Sequence, residues 1–194
     1  MKSTLLIALT IVTLAGIMSA CSGTEPGRPT ASNPTGTTPS STSKAAPGPD
    51  LDLSKFTSRP CDLLTAAQLA QLGTFDPPTS GHQELGPGCR WEAKEVLKGA
   101  AYSVTLSTEG NTLESMREAS KAEPVFRETT VAGYPAFSKD GTTGKGNCGT
   151  AVKTSSKEAI YVQISTLNKE TPEYKDSCRA TEKVAALVVQ NLKG

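Results

Sequence analysis

Hydrophobic positions fall into three textures along this chain. From Leu5 to Met18 they are nearly continuous, broken only by small residues and threonines. From Ser22 to Asp50 they almost vanish: 21 of these 29 residues are Ser, Thr, Pro or Gly, and the only apolar ones are Ala31, Ala45 and Ala46. From Leu51 onward they return at the spacings of folded structure. The pattern predicts a leader over residues 1–20, a spacer over 21–50 and a globular domain over 51–194. All nine aromatic residues lie from Phe56 onward, so only the last segment can build a core.

Within that segment the period alternates between helix and strand. Leu63, Leu64, Leu69 and Leu72 surround a capping box, Thr65 with Gln68, and Gly73 ends the short helix. Cys89, Trp91 and Ala93 alternate with charged neighbours. Tyr102, Val104 and Leu106 alternate with Ser103, Thr105 and Ser107, which predicts a hairpin bending near Lys98-Gly99. Asn111 and Glu114 cap a second helix running to Lys121. Strands are expected at Val125–Val131, Tyr134–Ser138, Cys148–Lys153 and Ile160–Ile164, set apart by turn residues such as Gly133 and Asp140-Gly141. Asp176 to Lys193 closes the chain as a helix, with Val184, Ala185, Val188 and Leu192 on one face. Short connections favour antiparallel pairing. The expected class is α+β, an antiparallel sheet of about five to six strands packed by an N-terminal and a C-terminal helix.

The leader carries Lys2, then an apolar run shorter than the roughly 20 residues that cross a bilayer. It ends in Met18-Ser19-Ala20-Cys21, which resembles the lipobox of bacterial lipoproteins. Small side chains admit a signal peptidase, and the Cys21 thiol is the expected acceptor of a diacylglyceryl group, completed by palmitate-type acyl chains. Each buried methylene of such a chain contributes about 0.8 kcal/mol. The expectation is a protein held on the extracytoplasmic face of a bacterial cell membrane by Cys21. The spacer composition cannot offset its ordering entropy, so it is expected to act as a flexible stalk reaching roughly 30 Å as a coil.

Charge adds an exclusion. Lys and Arg number 20 against 19 Asp and Glu, with one histidine, and this balance leaves no basic face for nucleic acid. Cysteine usage adds a framework. With Cys21 acylated, Cys61, Cys89, Cys148 and Cys178 remain, an even number on the oxidising side of a membrane. Of the three connectivities open to them, Cys61–Cys89 with Cys148–Cys178 is preferred. A zinc site is the rival, weakened by the lack of any CxxC knuckle.

These residues resemble a known family. Pro60-Cys61-Asp62-Leu63-Leu64-Thr65, Leu69, Leu72-Gly73 and Gly88-Cys89-Arg90-Trp91 are similar to the opening of an actinobacterial lipoprotein family filed as domain of unknown function 3558. Val131-Ala132-Gly133-Tyr134-Pro135-Ala136 and Asp176-Ser177-Cys178 agree with it. The resemblance implies a surface lipoprotein from an actinobacterium, and it brings no catalytic residues.

Direct searches for chemistry return little. Gly144-Lys145-Gly146-Asn147-Cys148-Gly149 spells GxGxxG, but the glycines lead into a strand rather than a helix N-terminus. Gly141 to Gly146 fails as a Walker loop, because glycine follows Lys145. His82 stands alone in a loop, and the pairs Glu92/Glu95 and Glu114/Glu118 read as solvated charge. Trp91 beside Arg90 could stack on a sugar or peptide, yet a lone tryptophan near a disulfide is more often core. No catalytic residue, metal ligand or cofactor is therefore expected. The expected role is a non-enzymatic binding module that meets an envelope protein or cell-wall partner. A carrier of an apolar ligand or lipid, and a cell-wall hydrolase using carboxylates only, are the alternatives.

Overall fold

The computed structural model describes residues 48–108 and 110–194. The leader, Cys21 and the spacer as far as residue 47 lie outside them. The domain is built on one seven-stranded antiparallel sheet in the order β1-β2-β3-β7-β6-β5-β4. Its strands are β1 (Thr79–Gln83), β2 (Gly86–Trp91), β3 (Ala100–Ser107), β4 (Val125–Val131), β5 (Tyr134–Asp140), β6 (Asn147–Lys153) and β7 (Ala159–Thr166). The helices are α1 (Ala66–Leu72), α2 (Leu113–Ser120), the single turn α3 (Pro172–Lys175) and α4 (Ser177–Lys193).

The sheet has one strand more than the upper sequence-based expectation. The addition is β1, whose five residues are all exposed and carry no apolar alternation. It exists because its backbone pairs with β2, Thr79 opposite Arg90 through Gln83 opposite Gly86. A second correction concerns α2. Thr112, not Asn111, is its N-cap, with its hydroxyl accepting from the Ser115 amide at 3.1 Å.

One face of the sheet is sealed. Val104 and Leu106 of β3, Val152 of β6 and Ile160, Val162 and Ile164 of β7 point to it, and α4 crosses it with Val184, Ala185, Val188 and Val189 fully buried. Trp91 is likewise fully buried there, so it is core rather than platform. Both disulfides belong to this face: Cys61–Cys89 ties a 3-10 turn (Pro60–Leu63) to β2, and Cys148–Cys178 ties β6 to the first turn of α4. Each closes a loop of about 30 residues, for which the chain-entropy model gives roughly 3.5 kcal/mol. A buried polar ladder sets where α4 lies. Glu182 accepts from Ser138 Oγ at 2.8 Å and from Arg127 Nη2 at 2.7 Å, while Thr150 Oγ1 sits 2.8 Å from Ser138 Oγ and 2.6 Å from Thr181 Oγ1.

The capping box of α1 forms, and its Gln68 reaches further: the Oε1 accepts from Asn191 Nδ2 at 2.7 Å, docking α1 on α4. The β4–β5 hairpin turns on Ala132 and Gly133, both at positive φ (49° and 92°), as a two-residue turn of the primed type requires. Next to it the chain comes in. Pro49 O accepts from the Tyr134 hydroxyl at 2.9 Å, and the Leu51 amide donates to Thr154 O at 2.8 Å. Lys193 lies over the Tyr134 ring, so both ends of the domain meet at Tyr134.

Candidate functional site

The second face of the sheet is only partly covered. Alternation sends Thr105 of β3, Tyr161 and Gln163 of β7, Gly149 and Ala151 of β6, and Phe137 and Lys139 of β5 to this side. The two-turn α2 is too short to roof them all. Leu113 and Met116 of α2 pack with Phe137, Ala151 and Tyr161 into a small cluster, and the rest of the face stays open. Beside α2 this leaves a groove of about 470 Å³, floored by Thr105, Tyr161 and Gln163 and walled by Leu85, Met116 and Ser120. A recess of about 150 Å³ shares Lys139, Tyr161 and Gln163 with it and extends to Asn147 and Asp140. A larger, more open concavity of about 660 Å³ lies over α3 and the start of α4, among charges such as Glu173, Asp176, Arg179 and Lys183. We place the candidate site in the groove, where polar groups are sheltered.

Glycine shapes its floor. A Cβ on Gly149 would fall 2.0 Å from the Tyr161 hydroxyl, so the tyrosine can lie over β6 only because that position has no side chain. Its hydroxyl thereby comes near Lys139, whose Nζ donates to Glu123 Oε1 at 2.7 Å. Burial works against the Lys139 charge, but Glu123 and Tyr161 outweigh it and hold the ammonium above the usual lysine range. Burial pushes the Tyr161 hydroxyl up, in spite of the opposing pull of Lys139. At neutral pH the floor thus presents a paired ammonium and a neutral phenol, neither tuned to exchange a proton there.

Two hydroxyls that the protein leaves unbonded line the groove. Thr105 and Ser120 are each only 4% exposed, and among the described residues neither side chain has a hydrogen-bond partner. Both line the groove and open to it. Their oxygens are reached from the groove; side-chain atoms wholly buried without a partner lie elsewhere, Trp91 Nε1 and Thr154 Oγ1 among them.

The residues that the sequence singled out lie elsewhere. The GxGxxG segment is the β5–β6 loop, with Gly144 and Gly146 at positive φ (72° and 78°), and it ends in β6. Asp140 organises it, accepting from Thr142 Oγ1 at 2.6 Å and from the Gly144 amide at 2.7 Å. Burial pushes the Asp140 carboxyl up, but these donors together with the Thr142 and Thr143 amides prevail and hold it below the usual range. The loop is fastened to α4: Gly144 O accepts from the Ser177 amide, and the Gly146 amide donates to Tyr174 O. His82 is exposed on β1. Glu92, Glu95, Glu114 and Glu118 form exposed ion pairs with Arg90, Lys98, Lys153 and Lys121. Among the described residues no group of three His, Cys, Asp or Glu side chains is placed to hold a metal ion.

Sequence reasoning did not find the groove. Its signal was the polar half of the β3 alternation, Ser103, Thr105 and Ser107, which reads as an ordinary solvated face. All three prove buried, which the pattern of apolar residues could not reveal.

Comparison with known proteins agrees with the residues that carried the family resemblance. The family model described as protein of unknown function (DUF3558) matches residues 16–191. No curated protein and no solved structure matches the chain. The family match takes in both disulfides, every strand and nearly all of α4, and by it this protein is a member of the DUF3558 family.

Proposed function

We propose that this protein is an actinobacterial cell-envelope lipoprotein, anchored through acylated Cys21 on the outer side of the cell membrane, and that its domain is a non-enzymatic binding module working through the groove beside α2. The observation that carries the binding role is a groove of about 470 Å³, within the range of small-ligand sites, lined by two hydroxyls, Thr105 and Ser120, that no protein group bonds among the described residues. Hydroxyls that no protein group occupies are left for a ligand to bond in place of water. The state of Lys139 and Tyr161 supports binding over turnover, since each is fixed in one protonation state near neutrality. The anchor is supported by the lipobox-like Met18-Ser19-Ala20-Cys21 and by a tether rich in Ser, Thr, Pro and Gly. A carrier of an apolar ligand would call for an enclosed apolar cavity, whereas this groove is open and half polar.

The experiment is site-directed photocrosslinking in the native envelope. A crosslinking residue at Gln163 should capture a discrete envelope component that the same residue at Lys157, in the exposed β6–β7 turn, does not. Equal capture at both positions would refute binding through the groove. Replacing Cys21 by Ala should shift the protein from the membrane to the soluble fraction or leave it as precursor. Unchanged detergent-phase partitioning would refute the anchor.

A further inference from the structure

Resting on the proposed binding role, we infer that the groove recognises a neutral, polyhydroxylated ligand, a short stretch of uncharged glycan. The inventory of its free groups points there. Thr105 and Ser120 offer hydroxyls, and Gln163 and Gln83 offer amides; among the described residues none of these side chains has a partner. Every one of them can both donate and accept. A sugar hydroxyl also does both, so one ring can satisfy several such groups at once.

Charge argues the same way. The ammonium on the floor, Lys139, is already neutralised by Glu123 at 2.7 Å, and the Asp140 carboxylate in the adjoining recess is taken up by its own loop. Glu84 adds an exposed carboxylate to the lining. An anionic ligand would meet it and would have to displace Glu123 as well, and a cationic one would meet Lys139. A peptide in extended form is a poorer match. It binds sheets through backbone donors and acceptors along an edge, whereas the groove lies on a sheet face whose backbone groups are spent on β3, β7 and β6 ladders. An acyl chain would strip water from the two hydroxyls and give them no bond in return. The remaining walls, Leu85 and Met116, supply the modest apolar contact that the carbon face of a sugar ring accepts.

The test applies the full mature chain to immobilised neutral oligosaccharides of glucose, mannose, galactose and arabinose, with uronic-acid oligosaccharides, muropeptides and an envelope lipid extract beside them. Saturable binding to one or more neutral glycans is expected. Thr105→Val and Ser120→Ala should each weaken it roughly fivefold, the loss of one hydrogen bond, with thermal unfolding unchanged. Preference for the charged glycans, for peptide or for lipid would overturn the inference, as would neutral-glycan binding that both variants leave intact. A blank array also overturns it, and the Gln163 crosslink then decides what has failed. Selective capture there would leave the binding role standing with another ligand class. Capture no better than at Lys157 would remove the binding role itself.

Discussion

The two faces of the sheet are made from the same strands and spent differently. On the sealed face, Leu106 of β3 is fully buried under a core that α4 completes and two disulfides fasten. On the other, its neighbour Thr105 is nearly as hidden from water, yet what it meets is an empty groove rather than a packed side chain. Burial alone does not separate the two residues. What separates them is what they meet, packed apolar side chains on one face and an open groove on the other. One face converts its burial into stability, and the other leaves polar groups without a protein partner.

Four measurements would break or sharpen that contrast. The largest effect should come from the disulfides of the sealed face: Cys148→Ser with Cys178→Ser should cost about 3.5 kcal/mol in denaturant unfolding, and a loss under about 1 kcal/mol would mean that α4 holds without its tie. Leu106→Ala should cost about 3 kcal/mol, the range for a large side chain removed from a packed core, also read by denaturant unfolding.

Alkali should come next. Tyr102, on the sealed face, has its hydroxyl pushed up to about 12 by burial, with Glu173 adding to the effect. The folded state holds that proton more tightly than the unfolded chain, whose tyrosines ionise near pH 10. Stability is therefore full below pH 10 and falls as pH rises toward 12, by roughly 2–3 kcal/mol for this group. Tyr161 and Lys139, both raised, act in the same direction. Absorbance titration should show a tyrosine ionising near pH 12 that Tyr102→Phe removes; its persistence in the variant would contradict the burial of Tyr102 on the sealed face. Smallest is Thr105→Val, expected within about 0.5 kcal/mol of the parent in stability because no protein partner is lost. A clear destabilisation would show that the hydroxyl has a structural bond after all.

The sealed face is also the one that the sequence announced. Val184, Ala185 and Val188 mark the buried stripe of α4 at helical spacing, and Tyr102, Val104 and Leu106 mark β3 at strand spacing, because apolar atoms must leave water together. The C-cap at Gly73 and the Thr65–Gln68 box were legible for a local reason, the unsatisfied amides of a helix start and a backbone that must stop. The open face had no such voice. β1 reads Thr-Ser-Gly-His-Gln and owes its strand to ladder bonds with β2, which no residue type encodes. The groove depends on α2 being two turns long, on Gly149 making room for Tyr161, and on polar residues brought together from β3, β7 and α2. Each is a fact of assembly. The single turn of α3, capped by Thr171, leaves no periodicity to read.

The seam at Tyr134 has a mechanical consequence. Any pull on the chain ahead of Gly48 first reaches the Pro49 carbonyl, held by the Tyr134 hydroxyl, and then the Leu51 amide, held by Thr154. Behind them Leu51 and Leu53 are plugged into the core at 5% and 1% exposure, and Lys193 clamps the same tyrosine from the far end of the chain. Tension on a tether would thus be met at the root of the domain, by groups from β5, the β6–β7 turn and α4 together. The groove, on the opposite face of the sheet, shares no residue with that seam.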